Sequence, residues 1–310
     1  MRLYYFKAAR GNFGDDLNAW LWPRLLGADF FDPASQEQLV GIGTLLNHRV
    51  PPARRTLVFG SGYGYGSRPA LDASWHFFCV RGPGTARELG LAPELAITDP
   101  AILIYEHTRE AVRPVAGRIG FIPHCDSAEA FDWRPLCERA GLFFIDSRGT
   151  VDEVIAAIGS CERVLTEAMH GAIFADAMRV PWVAVHAYPH ISAFKWKDWC
   201  DSMAQDYAPQ PLQPLWAGEP NETALHRFKQ SIKRGLLGLG LKGEGWTPPE
   251  PARSSRREQD LALSQLKALA RRSPQLSEEA VHTARRAALH ERLEQLREYR
   301  RTGQLPAAAS

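Results

Sequence analysis

The sequence predicts an α/β protein with two Rossmann-like domains and a C-terminal helical extension. Three observations favour this class: short apolar runs alternate with helical patterns, the alternation occurs in two consecutive series, and the part after residue 250 shows helical patterns alone. The predicted boundaries place residues 1–112 in the first domain, 113–242 in the second, and 243–310 in a linker and amphipathic helical tail.

The first series contains five apolar runs that are typical of strands. They read RLYYF, QLVGIG, RTLVFGSG, WHFFCVRG and ELAITD in chain order. Helical patterns follow two of them, at residues 15–26 after the first run and at residues 85–89 after the fourth. Since crossover helices connect parallel strands, we expect a mostly parallel sheet with covering helices.

The second series repeats this arrangement after a connection around residues 108–115. Its predicted strands read RIGFIPH, GLFFIDS, RVLTE and PWVAV, and its predicted helices cover residues 127–140, 151–158 and 169–178. The cleft between two such domains is the expected ligand site.

Beyond residue 185 the alternation of strands and helices is lost. The stretch HAYPHISAFKWKDWCDSM predicts a short helix at its end, residues 221–240 predict a longer one, and KGEGWTPPEPARSSRRE is typical of a linker. Two helices follow at residues 259–271 and 277–300, and the second carries Leu289, Leu293 and Leu296 on one face.

Composition and charge limit the class of protein. The chain has 310 residues, 45% of them apolar, and a net charge of +2, which indicates a globular protein and disfavours nucleic acid as a partner. Five widely spaced cysteines without a C-x-x-C pair disfavour disulfides or a zinc site and favour a reducing compartment. We find neither a signal peptide pattern nor a membrane-spanning run and therefore expect a cytoplasmic protein.

The stretch VLTEAMHGAIFADAM predicts a strand-to-helix turn that carries Glu167 and His170. Such turns lie at the carboxyl ends of parallel strands, where ligands bind and where a helix start attracts anions. A histidine there is suited to donate a hydrogen bond or a proton. The alternative is that His170 caps the helix or fills a polar niche.

The stretch ARGNFGDDLN places Asn12, Asp15 and Asp16 at the start of the first predicted helix. Helix capping explains one of these acids, because carboxylates in a first turn stabilise a helix. The second acid and Asn12 exceed that need, so we expect one acid to face the cleft and to hold sugar hydroxyls or accept a proton.

Glycines alternate at every second position in VFGSGYGYGS, so the run does not match the dinucleotide-binding pattern G-x-G-x-x-G. We instead expect Gly60, Ser61 and Gly62 to form a loop whose backbone N–H groups contact a ligand. In VRGPGTARELG, Arg81 ends a strand and Thr85 enters a helix. Arg81 is suited to bind a carboxylate or phosphate, and the alternative is a structural ion pair.

Further polar residues lie at predicted strand ends or near the presumed cleft. Asp99 in TDPAIL is either a turn former or a cleft acid, and His124 ends the first strand of the second series. Lys195 and Lys197 in FKWKDW are either anion ligands or solvated charges.

Taken in order, GNFGDDLN, VFGSG, VRGPGT, TDPAIL, IPH and EAMHGAIFADAMRVPWVAV resemble the polysaccharide pyruvyl transferase family. The resemblance covers roughly residues 1–200 and is strongest to the ketal pyruvate transferases of bacterial exopolysaccharide assembly, of the xanthan and succinoglycan type. It implies a GT-B-like arrangement of the two domains. It also implies transfer of the enolpyruvyl skeleton of phosphoenolpyruvate (PEP) to a sugar, commonly as a 4,6-ketal, with release of phosphate.

The resemblance implies that His170 contacts the PEP phosphate and that Arg81 corresponds to a basic residue of the family. Ala168 and Met169 precede His170, so the arginine that many members carry there is absent. The candidates to replace it are Arg10, Arg81, Lys195 and Lys197.

The chemistry of PEP fits these residues independently. Its carboxylate and phosphate need cations and helix N-termini, which Arg81 and the turns at Thr85 and His170 offer. We expect His170 to act as general acid or phosphate ligand, Arg81 to anchor the donor, and Asp15 or Asp16 to orient the sugar diol. No cofactor or metal is expected. The rest of the expected substrate-binding set is Asn12, Gly60, Ser61, Gly62, Thr85, His124, Glu167 and Lys195.

Two other functions stay open at this point. A GT-B glycosyltransferase that uses a nucleotide sugar would share the fold, and a non-catalytic scaffold of polysaccharide assembly would explain the missing arginine. The tail, residues 251–310, holds 12 Lys and Arg against 7 Asp and Glu. It either contacts anionic lipid, which would suit a lipid-linked acceptor, or packs on the core or on a second subunit.

Overall fold

The computed structural model describes residues 1–218 and 252–306. These residues form two parallel sheets with flanking helices, as the two series of strands predicted. The longer predicted helix at 221–240 lies outside the described residues, and so does the predicted boundary at residue 242. The domain boundaries and the GT-B-like arrangement of the sheets therefore stay predictions.

The first sheet has four strands in the order β1-β2-β3-β4, and all neighbours are parallel. The long helix α1 (Phe13–Leu26) follows β1 and buries Leu17, Leu21 and Trp22 against the sheet. The short helix α2 (Pro83–Leu89) follows β4. The strands are β1 (Arg2–Tyr4), β2 (Glu37–Val40), β3 (Arg55–Phe59) and β4 (Trp75–Cys79).

The second sheet has five strands in the order β6-β5-β7-β8-β9, again all parallel. Its strands are β5 (Ile119–Ile122), β6 (Phe143–Phe144), β7 (Arg163–Thr166), β8 (Trp182–His186) and β9 (Gln210–Pro211), the last of which was not predicted. Its helices are α4 (Cys125–Ala130), α5 (Arg134–Ala140), α6 (Val151–Gly159), α7 (Met169–Ala177) and α8 (Ala193–Ser202), and the one-turn helix α3 (Tyr105–Thr108) precedes them.

Two predicted elements were wrong. ELAITD begins in a 3-10 turn at Pro93–Leu95 and forms one isolated bridge, from Ala96 to Val80 just after β4. Its last residue, Asp99, caps a buried 3-10 helix at Pro100–Ile104. The helix predicted at 127–140 is divided into α4 and α5. Pro135 explains the division, because its ring lacks an N–H and clashes with the carbonyl four residues earlier.

The C-terminal helices α9 (Arg256–Leu269) and α10 (Glu279–Thr302) pack on the two sheets. Leu266 of α9 joins the apolar cluster of the second sheet, whereas Leu289, Leu293 and Leu296 of α10 are fully buried in the main core. The prediction of one apolar face on α10 is thus confirmed, and the tail packs on the core as the second alternative proposed. Within the described residues, no helix is both long and apolar enough to span a bilayer.

A buried carboxylate fastens this tail. Asp176 at the end of α7 accepts hydrogen bonds from the Ser277 backbone N–H (2.9 Å) and hydroxyl (2.5 Å) just before α10. Arg179 donates to the same serine at 2.9 Å and pairs with Glu279 at 3.1 Å. Since α7 also begins at the site described next, the tail stabilises the helix that carries His170.

Candidate active site

A cavity of about 540 Å³ is lined by residues that follow the carboxyl ends of strands of both sheets. Segments of both halves form its walls, which is the expected position of a ligand in open α/β sheets. Six of the predicted site residues line it: Asn12, Asp15, His124, Glu167, His170 and Lys195.

The first wall is the start of α1. The Asn12 side chain caps this helix by accepting the N–H of Gly14 at 3.1 Å, and its amide donates to Asp15 Oδ2 at 2.7 Å. Asp15 is therefore not needed as the cap and faces the cavity. Burial raises the pKa of Asp15 to about 6, and His170 and Lys195 counter part of that rise.

The second wall is the start of α7, where Ala168, Met169 and His170 line the cavity. No side chain among residues 1–218 and 252–306 caps this helix. The Gly171 N–H bonds the Ala168 carbonyl at 2.9 Å, so the N–H groups of Met169 and His170 are the ones left open at the helix start. The His170 ring packs on the backbone of Gly14, where any Cβ would overlap the imidazole. Glycine at position 14 thus allows α1 and α7 to bring Asp15 and His170 into one site.

Lys195 of α8 supplies a positive charge to this cavity. Its ammonium group donates to the Tyr65 hydroxyl and lies 4.5 Å from the centre of the Tyr65 ring. Burial, followed by the positive charge of Arg81, lowers the pKa of Lys195 to about 8. Lys197, two residues later, is exposed and pairs with Asp201 at 3.0 Å. Arg10 is also exposed and pairs with Glu129.

The third wall joins β5, β7 and β8. The buried Glu167 carboxylate accepts backbone N–H groups from His124 (3.2 Å), Ala187 (3.0 Å) and Tyr188 (3.1 Å). These bonds tie the ends of the two neighbouring strands to the turn before α7. Glu167 therefore has a structural role in shaping the cavity, besides lining it.

His124, Asp126 and His190 lie close enough together to be considered as metal ligands. His124 Nδ1 accepts the Asp126 N–H at 3.3 Å, which places the proton of the neutral ring on Nε2. Burial, then Lys195, lowers the pKa of His124 to about 4, so the ring is neutral at neutral pH. Its one lone pair is thus already used, and this set gives no support for a metal centre. The absence of a metal stays a prediction.

The structure does not place Arg81 in the cavity. Its guanidinium is fully buried and donates to Asp198 Oδ2 (3.0 Å), Thr44 Oγ1 (2.9 Å) and the Tyr63 carbonyl (2.9 Å). This position differs from the expected contact with the donor and matches the alternative of a structural ion pair. The fixed charge acts on the site indirectly, by holding Thr44 at the cavity wall and by lowering the pKa of Lys195.

The remaining predicted residues also lie outside the lining. Thr85 gives its N–H and hydroxyl to Asp198 (2.9 and 2.6 Å), so its turn is closed to an anion. Gly62 has no room for a side chain because the Arg81 guanidinium lies against it. The N–H groups of Gly60 and Gly62 bond to the carbonyls of Cys79 (2.8 Å) and Gly43 (2.9 Å). The predicted residues that do not line the cavity are Asp16, Gly60, Ser61, Gly62, Arg81 and Thr85.

Several lining residues were missed from the sequence. Arg49 follows Asn47 in an irregular loop, and Phe6 and Tyr65 are exposed aromatic residues near the ends of β1 and of the glycine loop. None of them falls in a recognisable motif. Their only signal is a position downstream of a strand that ends at the same edge of its sheet.

Comparison of the sequence with known proteins identifies the family of this chain. Residues 50–186 match the sequence profile of the family described as polysaccharide pyruvyl transferase. The chain is also 44% identical over 214 residues to the succinoglycan biosynthesis protein ExoV of Rhizobium meliloti (strain 1021), an alignment that covers 68% of this chain and 67% of ExoV. The chain belongs to the polysaccharide pyruvyl transferase family. No solved structure matches it.

This pyruvyl transferase is therefore a transferase that acts on polysaccharide. The matched profile contains His124, Glu167 and His170 but ends before Lys195 and begins after Asp15. Of the four cations considered as replacements for the missing arginine, only Lys195 lines the cavity of this pyruvyl transferase.

Proposed function

We propose that this pyruvyl transferase moves the enolpyruvyl skeleton of PEP onto a sugar diol of an exopolysaccharide repeat unit, as a 4,6-ketal, with release of phosphate. The observation that carries the proposal is that an uncapped helix start, a histidine, a half-buried lysine and a carboxylate line one cavity. PEP is an anion at two positions, its phosphate and its carboxylate. The helix start, the histidine and the lysine suit these anionic positions, whereas the carboxylate suits the hydroxyls of the sugar.

The phosphate of PEP is assigned to the start of α7. Its open N–H groups and positive dipole end favour an anion, and His170 in its first turn adds a donor. Lys195 and Arg49 are the lining cations available for the phosphate and carboxylate. These two cations take the role expected of Arg81, whose guanidinium is paired with Asp198. The proposed donor site uses no cofactor.

The sugar diol is assigned to the wall formed by α1. Asn12 orients the Asp15 carboxylate, and the raised pKa of Asp15, about 6, makes it a stronger proton acceptor than an ordinary aspartate. It can accept the proton of one sugar hydroxyl as that oxygen attacks. Asp16 lies outside the lining, so of the two acids Asp15 is the proposed base.

The reaction then balances as follows. A proton from His170 adds to the PEP methylene, which becomes a methyl group, and a first sugar oxygen bonds to the adjacent carbon while Asp15 takes its proton. The carbon–oxygen bond to phosphate breaks, and phosphate leaves with the bonding electrons. The second sugar oxygen bonds to the same carbon and gives its proton to His170, which closes the ketal and restores the proton that His170 had donated. The proton on Asp15 passes to the departing phosphate. Each positioned proton transfer is typically worth about 10²- to 10⁴-fold in rate.

The acceptor is assigned to the mouth of the cavity. Phe6 is 59% exposed and Tyr65 43% exposed, although both line the cavity. Exposed aromatic faces beside a polar site suit the apolar face of a sugar ring. Succinoglycan is the polymer in the name of the relative ExoV, so we propose an exopolysaccharide repeat unit as acceptor, assembled in the cytoplasm and either free or lipid-linked.

Phe6→Ala should raise the KM for the acceptor and leave the KM for PEP unchanged. Because an aromatic contact contributes roughly 0.5–1.5 kcal/mol, the rise should be about 2- to 10-fold. Steady-state kinetics with each substrate varied in turn measures this. The control is Phe143→Ala, which removes an exposed phenylalanine from β6 outside the cavity. An equal rise in both KM values would contradict the assignment.

The pH dependence of kcat/KM for PEP should be bell-shaped. Activity rises as Asp15 ionises near pH 6 and becomes a base, and it falls as Lys195 loses its proton near pH 8 and with it the attraction for the donor. The phosphate ester of PEP also titrates near pH 6, so the acid limb does not distinguish Asp15 from the substrate. The alkaline limb is therefore the better test of an enzyme group.

Lys195→Arg should move that alkaline limb to higher pH, because an arginine keeps its charge throughout. Lys197→Arg, on the exposed side of α8, is the matched control and should leave the profile unchanged. An alkaline limb that stays at the same pH in Lys195→Arg contradicts its assignment to Lys195 and transfers it to another group, first of all to the general acid His170.

The reaction itself is tested with hexosides that carry free 4- and 6-hydroxyls. Incubation with PEP should release one phosphate for each ketal formed, as measured by a phosphate assay and mass spectrometry. A 6-deoxy hexoside is the control, since it cannot close the ketal. Transfer of a sugar from a UDP- or GDP-sugar in the same assay, without consumption of PEP, would instead assign the protein to the glycosyltransferases.

A further inference from the structure

A second buried acid, Asp99, lies behind His170. Asp99 is fully buried at the start of the 3-10 helix Pro100–Ile104, and its Oδ2 atom is 3.7 Å from His170 Nε2. Within the described parts of the chain, neither of these two atoms has any hydrogen-bond partner, and both are shut off from solvent. Each is thus a buried polar atom without a hydrogen bond, and the two lie within ion-pair distance of each other.

The two carboxylate oxygens of Asp99 have different surroundings. Oδ1 accepts the N–H of Ala101 at 3.0 Å and so caps the 3-10 helix, whereas Oδ2 is left for His170. A cap needs one acceptor oxygen only. The second oxygen, aimed at a histidine in the cavity wall, exceeds what the turn requires.

Packing against neighbouring elements places both partners. The 3-10 helix after Asp99 has fully buried Ala101, Ile102, Leu103 and Ile104, and it packs directly on α7. On the opposite side, the His170 ring contacts the backbone of Gly14. A small approach of α7 closes the remaining gap, as is common when catalytic hydrogen bonds tighten on substrate binding.

We infer that Asp99 is a positioning residue for His170: it holds the ring proton on Nε2 and leaves Nδ1 as the nitrogen that meets the donor. A carboxylate in this place fixes the tautomer and stabilises the positive charge of the ring when it carries a second proton on Nδ1. His170 then delivers that proton to the PEP methylene and returns to the neutral form with Nε2 protonated. The catalytic part of this inference rests on the proposed function, whereas the tautomer does not.

Asp99→Asn tests the inference with little change in shape. Its side-chain oxygen can still cap Ala101, but an NH₂ group now faces Nε2, so two donors oppose each other unless the ring proton moves to Nδ1. We expect kcat to fall by about 10²- to 10⁴-fold with little change in the KM for PEP. In a His170→Gln background the same substitution should cause no further loss. Asp72→Asn, an exposed carboxylate bonded only to Ser74, is the matched control and should keep full activity.

The tautomer is measured without any substrate. Long-range proton–nitrogen correlation spectra of the ¹⁵N-labelled protein report which nitrogen of each of the ten histidines carries the proton, and His170→Gln identifies the His170 signals. Protonation on Nε2 in the wild type, and on Nδ1 in Asp99→Asn, supports the inference. A wild-type His170 protonated on Nδ1 overturns it, whether or not the variant folds. Correct tautomers without any PEP-dependent activity would keep the pair and reject the proposed function.

Discussion

His170→Ala should reduce kcat for ketal formation by about 10²- to 10⁴-fold, the range expected for loss of a positioned proton donor. The substitution removes the only side chain of the α7 first turn that offers both a proton and a hydrogen bond to the cavity. It leaves the open helix start and Lys195 in place. Some affinity for PEP should therefore persist, and the larger loss should appear in kcat. Steady-state kinetics with PEP and a 4,6-diol acceptor measures both parameters.

The matched control is His107→Ala, since His107 is exposed on α3, lies outside the cavity lining and packs edge-on against Trp20. It should keep wild-type kinetics. A His170→Ala protein that retains near-normal turnover would return His170 to a structural role. In that case the general acid would have to be sought among the other groups that line the cavity.

Asp198→Ala should reduce the free energy of unfolding by about 3–5 kcal/mol, the typical result of leaving a buried charge without its partner. Asp198 and Arg81 are both fully buried, and the same carboxylate also accepts the Thr85 N–H and hydroxyl. The pair joins the end of β4 and the start of α2 to α8. Its loss should therefore loosen the contact between the two sheets as well as the wall that holds Thr44 and Lys195. Denaturant unfolding followed by circular dichroism measures the effect.

Two variants separate this ion pair from a general effect of mutating α8. Asp201→Ala lies three residues later, and because its ion pair with Lys197 is at the surface, it should cost less than about 1 kcal/mol. The double variant Arg81→Met with Asp198→Ala should recover part of the lost stability, since no unpaired charge remains. Equal stability of the single and double variants would show that Arg81 is solvated in another way and that the ion pair is not essential.

Much of the fold could be predicted because periodic apolar runs depend on local chain geometry. β1 to β8, α1 and α6 to α10 lie where the patterns placed them. The prediction failed where a proline changes the local geometry: Pro135 divides a helix, and Pro93 begins a 3-10 turn where a strand was expected. β9 has only two residues, which is too short to show the apolar periodicity that predicts a strand.

The site was harder to predict, because whether a charged residue can bind a substrate depends on whether another residue already pairs with it. His170, Asp15 and Lys195 were predicted since they follow strands or begin helices at one edge of the sheets. Arg81 satisfies the same local rule, yet its partner Asp198 lies 117 residues later, and only the fold reveals that pair. The same holds for Asp99, which reads as a turn residue until α7 brings His170 beside it. Long-range pairing decides which charges are left for a substrate.

The most direct test of the central claim is a thermal shift of the wild-type protein with PEP, run beside inorganic phosphate and UDP-glucose. A ligand at 100 times its dissociation constant stabilises a protein by about 2.7 kcal/mol, so a true donor should raise the melting temperature clearly. We expect a rise with PEP, a smaller one with phosphate and none with UDP-glucose, and we expect Lys195→Gln but not Lys197→Gln to weaken the response to PEP. A rise with UDP-glucose and none with PEP would contradict the assignment of this cavity to a pyruvyl donor.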